Sequence, residues 1–476
     1  MADRIAELDH EFLWHPFTQQ LGWEREEPVV IERAEGSELI DAEGNHYIDG
    51  VSSLWCNVHG HRHPHVDQAI RSQLDRVAHS TMLGLTHAPA AELAAKLCEL
   101  APPGLRRVFY SDSGSTAVEI AVKMAFQYWQ QRGGQHARRT SFVNLVEAYH
   151  GDTLGAVSVG GMELFHSVYE PLLFGKHEVP AGDAAALERA LERHGEEIAA
   201  VIVEPLVQGA AGIKVQPPGY LRAVRKLCDR HDVLLICDEV ATGFGRTGTM
   251  FACEQERVAP DFLCLGKGLT NGYLPLAATL ASDRIYEGFL GAQEELKTFF
   301  HGHTFTGNPL ACAAAIANLE VFERERTLVR LQPKIRVLAE ELAELACLDG
   351  VAEVRGRGLM VGVDLGEHHP ALRMGHRVTL EARGRGVIVR PLGDVVVLMP
   401  QLSIEIAELR RLVAVTGESI VAAYEGVARN GEGTGRGIES TGGESTGSST
   451  AEPIGSRPLR ASRPGGAHTP SERRAA

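Results

Sequence analysis

The most restrictive feature of this 476-residue sequence is a series of short apolar runs, separated by stretches with helical periodicity. This alternation is typical of an α/β protein with a mostly parallel sheet. The candidate strands are RRVFYS (106–111), TSFVNLVEA (140–148), AAVIVEP (199–205), DVLLICDEV (232–240), DFLCLG (261–266) and LPLAATLA (274–281). Each run ends in polar or glycine residues, and α/β enzymes keep their ligands at the carboxyl ends of strands. We therefore expect the functional residues at these ends.

The character of the sequence changes after about residue 325, where a helical stretch, short apolar runs and a second helix near 405–428 predict a smaller α+β domain. Beyond residue 430, few large apolar residues remain among Gly, Ser, Thr, Pro and Arg, so burial cannot offset the ordering entropy. The predicted organisation is an N-terminal segment (1–65) joining the small domain, a large domain (66–325), a C-terminal small domain (326–429) and a disordered tail (430–476).

The charge of the chain limits its partners. The sequence has 47 basic and 62 acidic residues, a net charge of -15, whereas nucleic acids and anionic membranes favour basic surfaces. No run of about eighteen uninterrupted apolar residues is present, and the N-terminal stretch MADRIAELDHEFLWHPF differs from a signal peptide. We expect a cytoplasmic protein without nucleic-acid or membrane partners.

Cysteine and histidine patterns do not predict a metal site. The eight cysteines include no C-x-x-C pair, and most lie in apolar runs, so reduced buried thiols are expected. The cluster HGHRHPH (59–65) is interrupted by Gly60 and Pro64 and lacks the spacing of a known zinc site. No metal is therefore expected.

Three strand ends carry the residues with the clearest chemistry. In SDSGSTAVE (111–119), Gly114 and Ser115 precede a helix whose free N–H groups attract an anion, and Thr116 and Glu119 fit a capping box. Asp238 ends an apolar strand, where a buried carboxylate requires a cation or a strong donor. Lys267, in CLGKGLT, lacks the flanking residues of a P-loop but can act as an amine nucleophile.

Together, an anion site, a strand-end Asp and a strand-end Lys meet the needs of pyridoxal 5'-phosphate (PLP): phosphate binding, a partner for the ring nitrogen and a covalent anchor. Tyr149, in AYHGDT, follows a strand and can stack on a flat cofactor. His303 and Thr304, in HGHTFTGNP, are further candidates for cofactor binding, with Thr304 directed to the phosphate.

These motifs, in this order, resemble the class III (ω) family of PLP-dependent aminotransferases, which has the aspartate-aminotransferase-like fold (PLP fold type I). The similar segments span residues 13–403 and are LWHPFTQ, DGVSSLWCNVHGH, HSTMLGLTH, FYSDSGSTAVEIAVKMA, EAYHGDT, VEPLVQGAAG, DEVATGFGRTG, LCLGKGLT, FFHGHTFTGNPLACAAA and VRPLGDVVVLMP. Within the family, the chain is most similar to the enzymes that convert 8-amino-7-oxononanoate to 7,8-diaminononanoate in biotin biosynthesis.

The resemblance implies a role for each matching residue. Lys267 would form the Schiff base with PLP, Asp238 would hold the pyridine nitrogen, and Tyr149 would stack on the ring. Gly114 and Ser115 would bind the phosphate. The substrate pocket would include Trp55 and Gly302 as well as Arg390, whose planar guanidinium suits a substrate carboxylate. Thr304 would reach the phosphate of a neighbouring subunit, which implies a homodimer.

The amino donor is left open by two positions. Where relatives that use S-adenosylmethionine carry a tyrosine and a tryptophan pair, this chain has Phe17 and the pair Leu54 and Trp55. Both S-adenosylmethionine and lysine therefore stay candidate donors. Two alternatives for the function are another ω-amino-acid aminotransferase and a non-catalytic PLP-binding protein.

Overall fold

The computed structural model describes residues 2–430, and the alternation of strands and helices expected from the sequence is present in them. The predicted disordered tail lies outside these residues, except that Asn430 ends the last helix. Within residues 2–430, no helix is long and apolar enough to cross a membrane.

The strands are numbered in chain order. They are β1 (Ile31–Glu35), β2 (Glu38–Asp41), β3 (His46–Asp49), β4 (Leu105–Ser111), β5 (Ser141–Leu145), β6 (Lys176–Val179), β7 (Ile198–Val203), β8 (Val207–Gln208), β9 (Lys214–Val215), β10 (Leu234–Asp238), β11 (Phe262–Leu265), β12 (Ala277–Ser282), β13 (Glu353–Arg357), β14 (Met360–Asp364), β15 (Val387–Ile388), β16 (Arg390–Leu392) and β17 (Val395–Leu398).

The α-helices are numbered in the same way. They are α1 (Ala2–Phe12), α2 (Gln20–Trp23), α3 (Ser52–Trp55), α4 (Pro64–Leu74), α5 (Ala88–Leu100), α6 (Gly114–Arg132), α7 (Leu154–Ser158), α8 (Glu163–His166), α9 (Ala184–His194), α10 (Tyr220–Arg230), α11 (Asp283–Gly288), α12 (Pro309–Arg324), α13 (Thr327–Leu345), α14 (Met374–Gly384) and α15 (Ile406–Asn430).

The largest sheet has seven strands in the order β4-β12-β11-β10-β7-β5-β6. Strand β12 runs antiparallel to both of its neighbours, whereas the pairs formed by β11, β10, β7, β5 and β6 are parallel. All six predicted strands are in this sheet, which confirms the mostly parallel α/β architecture. Its edge strand, β6, was not predicted from the sequence.

The apolar runs are continuous because both faces of this sheet are covered. Alternate strand residues such as Val201 and Leu235 pack with helices α9 and α10, while their neighbours Ile202 and Ile236 pack with α6. All six residues of β7 are buried. The sheet is therefore the centre of the hydrophobic core, and its strand ends are held in fixed positions.

Two four-stranded sheets flank this core. One has the order β1-β2-β3-β15, so an N-terminal strand pairs with a strand from the C-terminal region, and the other has the order β13-β14-β17-β16. Strand β3 pairs in parallel with β15, with Ile48 opposite Val387. The domain boundaries proposed at residues 65 and 325 stay a prediction.

Candidate active site

A cavity of about 560 Å³ lies at the carboxyl ends of the parallel strands. Its lining includes most residues that the sequence analysis selected: Phe17, Leu54, Trp55, Gly114, Ser115, Tyr149, Asp238, Lys267 and Arg390. Five of them follow β4, β5, β10 and β11, which end at the same edge of the sheet: Gly114, Ser115, Tyr149, Asp238 and Lys267. The other four come from segments outside this sheet: Phe17, Leu54, Trp55 and Arg390.

Lys267 lies two residues after the end of strand β11 and begins a short 3₁₀ turn, Lys267–Thr270. Its backbone has a φ of 37°, in a region that residues other than glycine adopt at an energetic cost. The side-chain Nζ lies 4.8 Å from the centroid of the Trp55 ring. Burial lowers the pKa of Lys267, while the nearby carboxylates of Asp238 and Glu204 oppose this change. A lowered pKa leaves more of the amine neutral and available as a nucleophile.

Asp238 is the last residue of β10 and is buried. Its Oδ2 accepts a hydrogen bond from Nδ1 of His150 at 2.7 Å, and its Oδ1 accepts one from the backbone N–H of Val240 at 3.0 Å. Each carboxylate oxygen has a further lone pair. The carboxylate is therefore held in place and can still accept a hydrogen bond from a donor in the cavity.

Tyr149 is held at two points. Its hydroxyl donates to Oδ2 of Asp152 at 2.8 Å, and its backbone N–H donates to Oε1 of Glu204 at 3.3 Å. Burial and the Asp152 carboxylate raise the pKa of Tyr149, so the phenol stays neutral. The ring is fixed at the cavity wall, as a stacking residue requires.

Helix α6 begins at Gly114, two residues before the predicted helix. Its N-cap is Ser113, whose side chain forms a capping box with Thr116, so the predicted box of Thr116 and Glu119 was wrong. Glu119 instead accepts a hydrogen bond from the Thr153 hydroxyl at 2.7 Å. A Cβ on Gly114 would lie 2.4 Å from Cγ1 of Val240, so close packing requires glycine there.

The start of α6 can hold an anion through its backbone. The Ser115 hydroxyl already donates to Oγ1 of Thr153 at 3.0 Å, while Gly114 and Ser115 are in the first turn and line the cavity. The first N–H groups of a helix attract anions because the helix supplies no partner for them. An anion at this position would therefore contact backbone N–H groups more than the Ser115 hydroxyl.

The outer wall of the cavity is aromatic and contains one guanidinium. The ring of Phe165 packs edge-on against Phe17 and Tyr149, at centroid distances of 5.5 and 6.3 Å. Arg390, in β16, is half-buried, and this burial lowers its pKa. An Arg beside apolar rings suits a substrate with a carboxylate and an aliphatic chain.

The comparisons with known proteins agree with this geometry. The family model for "Aminotransferase class-III" matches residues 22–418. The chain belongs to the class-III aminotransferases. The protein is therefore an enzyme that transfers amino groups.

Among its relatives is a protein of Nitratidesulfovibrio vulgaris named adenosylmethionine-8-amino-7-oxononanoate aminotransferase, 57% identical over 90% of this chain and 83% of the relative. The crystal structure of the protein with the same name from Methanocaldococcus jannaschii is 45% identical, with a TM-score of 0.87 over 89% of this chain and 99% of that one. A PLP-bound amine transaminase from an uncultivated Pseudomonas species is 37% identical, with a TM-score of 0.79 over 87% and 98% of the two chains.

The cofactor of this class-III aminotransferase is PLP, and the cavity fits it. The requirements are an amine with a lowered pKa, a fixed carboxylate for the ring nitrogen and an anion site for the phosphate. Lys267, Asp238 and the start of α6 supply these groups in one cavity. The PLP fold type I predicted from the resemblance is confirmed by the transaminase structures that this chain matches.

Three predicted site residues lie outside the cavity of their own chain. Gly302 and Thr304 are exposed, and Nδ1 of His303 lies 3.2 Å from a carboxylate oxygen of Asp112. The structure of one chain does not bring these residues to Lys267. Their roles stay predictions that depend on a second subunit.

Several cavity residues were missed by the sequence analysis, namely His150, Asp152, Thr153, Phe165 and Glu204. Glu204 follows the buried strand β7, so the rule that selected Asp238 would also have selected it. His150 lies within AYHGDT, but its pairing with Asp238, 88 residues away, is visible only in the fold.

The histidine cluster has structural partners. His61, His63 and His65 contact Asp49, Glu325 and Glu320 respectively, whereas His59 packs edge-on against Phe322. Each of the four rings therefore has its own partner in the fold, and the absence of a metal at this cluster stays a prediction.

Another group of potential ligands, His177, His194 and Glu197, has one ligand atom per residue within 4.8 Å of the others. The two imidazole rings are stacked, with centroids 4.4 Å apart and planes 19° apart. The group also lies away from the cavity, because Glu197 precedes β7 at the opposite edge of the sheet.

Proposed function

We propose that this enzyme transfers an amino group to 8-amino-7-oxononanoate and forms 7,8-diaminononanoate, a step of biotin biosynthesis. The observation that carries the proposal is the 57% identity, over 90% of this chain, to a relative named for this reaction. The cavity supports it, since Arg390 and the aromatic wall fit a nine-carbon chain that ends in a carboxylate.

PLP, when bound, supplies an aldehyde that condenses with amines and a protonated pyridine that takes up electron density. Lys267 would hold it covalently until an incoming amine takes the place of Lys267 on the cofactor, and the released amine of Lys267 would then be placed to move a proton to or from the substrate carbon. Asp238 would accept a hydrogen bond from the pyridine N–H and so keep the ring protonated, while Tyr149 would cover the ring. Arg390 binds the substrate carboxylate and sets the distance of the reacting carbon from Lys267.

The substrate is tested by assaying the purified holoenzyme with 8-amino-7-oxononanoate as amino acceptor and, separately, with the substrates of other ω-aminotransferases: ornithine, β-alanine and glutamate-1-semialdehyde. We expect 7,8-diaminononanoate from the first compound and much slower turnover of the others. Rescue of a biotin auxotroph by the parent, but not by Lys267→Ala, is the corresponding result in cells. Turnover of another amine without product from 8-amino-7-oxononanoate would instead indicate a different ω-aminotransferase, and no turnover at all would indicate a binding protein.

We propose S-adenosylmethionine as the donor, because the relatives' names include it. Lysine is the alternative donor. Phe17 and Leu54 stand where relatives that use S-adenosylmethionine carry a tyrosine and a tryptophan, so the predicted donor pocket lacks that hydroxyl and that indole. Single-turnover amination of the cofactor by each compound separates the two. The cytoplasmic location stays a prediction.

We also propose that the working unit is a homodimer in which the loop with Gly302, His303 and Thr304 completes the partner's site. This explains why these residues lie outside their own chain's cavity. The predicted task of Thr304, binding the phosphate of the other subunit, requires it to act between chains.

Mixing two inactive variants tests this arrangement. Lys267→Ala lacks the amine, and Thr304→Glu repels the phosphate across the interface. In a mixed dimer, one site combines an intact Lys267 with an intact Thr304 from the partner. Co-refolding equal amounts should therefore restore about a quarter of the parent's activity, since half of the dimers are mixed and each has one complete site. No restored activity would show that Thr304 acts within its own chain or that the enzyme is not a dimer.

A further inference from the structure

Glu204 is a buried carboxylate in the cavity that has no task in the proposed reaction. It follows strand β7 directly, and only 4% of its surface is exposed. Burial raises the pKa of Glu204 to about 7. Burying a carboxylate costs free energy unless hydrogen-bond donors contact it, so the contacts of Glu204 indicate its role.

The two oxygens of Glu204 accept backbone hydrogen bonds from two different segments of the chain. Oε1 accepts from the N–H of Tyr149 at 3.3 Å, and Oε2 accepts from the N–H of Gly209 at 2.8 Å. Tyr149 follows β5, whereas Gly209 follows the short strand β8. One side chain thus connects the two segments.

Gly209 is linked to Lys267 through the side chain of Trp55. A Cβ placed on Gly209 would lie 3.2 Å from Cζ3 of Trp55 and 3.6 Å from Oε2 of Glu204, so the three residues pack closely. The Trp55 ring in turn lies 4.8 Å from Nζ of Lys267. The position of the reactive amine therefore depends on a backbone segment that Glu204 holds.

Glu204 also contributes charge. Burial lowers the pKa of Lys267, the carboxylates of Asp238 and Glu204 and the thiol of Cys56 raise it, and Arg246 lowers it. Of the two carboxylates, Asp238 is committed to the ring nitrogen in the proposed reaction. Glu204 is therefore the carboxylate left to balance a positive charge at Lys267.

We infer that Glu204 is a positioning residue for transamination: its carboxylate fixes Tyr149 and the Gly209 segment around Lys267 and stabilises a positive charge on the nitrogen of Lys267. The inference rests on the proposed role of Lys267 but not on the identity of the acceptor. It therefore stands or fails separately from the assignment to biotin biosynthesis.

The test uses Glu204→Gln in the full-length holoenzyme. Glutamine keeps the shape and one acceptor oxygen but removes the charge and one backbone contact. The readout is the pH midpoint of the visible absorption change of bound PLP, which reports protonation at the nitrogen of Lys267. Because a positive charge there loses a nearby anion, the midpoint should fall by about one pH unit. We also expect kcat to fall about tenfold or more, with a smaller change in KM.

Glu239→Gln is the matched control. Glu239 is equally buried, its pKa is also raised to about 7, and its oxygens accept from the backbone N–H groups of Ala252 and Cys253 at 2.6 and 2.8 Å. The described residues that line the cavity do not include Glu239. We expect a similar loss of thermal stability in both variants but a shifted midpoint only in Glu204→Gln. Equal midpoints in the two variants would overturn the inference.

Glu204→Asp separates the charge from the geometry and serves if Glu204→Gln does not fold. It keeps the negative charge but shortens the side chain by one methylene. We expect a midpoint close to that of the parent together with a reduced kcat, because the contacts with Tyr149 and Gly209 are strained or lost. Parent-like kcat in this variant would contradict the positioning role.

Discussion

Replacing Lys267 with alanine is expected to lower kcat by about 10⁴-fold or more, because the variant lacks both the covalent anchor and the group that moves the proton. The amine lies in the cavity with a lowered pKa, and Asp238 and Glu204 are nearby. Borohydride reduction of the holoenzyme, followed by gel filtration under denaturing conditions, should leave PLP attached to the parent and not to the variant. Steady-state kinetics then gives the loss of turnover.

Lys334 provides a matched control for the loss of a buried lysine. Burial lowers its pKa too, and its Nζ donates to the carbonyl of Leu402 at 2.9 Å, away from the residues that line the cavity. Lys334→Ala should lose some thermal stability but keep the covalent attachment and most of the turnover. If Lys267→Ala still retained PLP after reduction, another lysine would be the anchor and the proposed mechanism would be wrong.

Replacing Asp238 with asparagine is expected to lower kcat by about 10²- to 10³-fold, the usual cost of removing one preorganised electrostatic contact from an active site. The carboxylate is fixed by His150 and by the backbone of Val240. Asparagine preserves the volume but cannot keep the pyridine protonated, so the cofactor withdraws electrons less well. Single-turnover kinetics with the amino donor measures this step without product release.

Asp261→Asn is the control for the Asp238 variant. Asp261 is buried just before the neighbouring strand β11, and its Oδ2 accepts hydrogen bonds from the Arg225 guanidinium and the N–H of Leu235, each at 2.9 Å. This change should destabilise the fold, because the half-buried Arg225 loses the charge of one of its two carboxylate partners, Asp261 and Asp229, yet leave single-turnover rates nearly unchanged. Equal rate losses in the two variants would show that Asp238 acts only through stability.

The strands of the large sheet were predictable because they are buried on both faces, so continuous apolar sequence marks them. The antiparallel direction of β12 could not be predicted, because its sequence, LPLAATLA, does not specify which strands it pairs with. The edge strand β6 was not predicted either. The start of α6 was misplaced because Ser113 and Thr116 compete with Thr116 and Glu119 as capping pairs. Glu119 lost that role through its contact with Thr153, which is 34 residues away.

The chemistry of the site was visible in the order of residues along the chain. Lys267, Asp238, Tyr149 and the start of α6 are each local features, a reactive or polar group at the end of a strand or at the start of a helix, and local features can be recognised without a fold. The connections between them are not local. His150 meets Asp238, and Glu204 joins Tyr149 to Gly209, because packing of parallel strands brings their ends together. The types of reactive group therefore followed from sequence, whereas their fixed geometry and shifted pKa values arose only from burial and strand order in the folded chain.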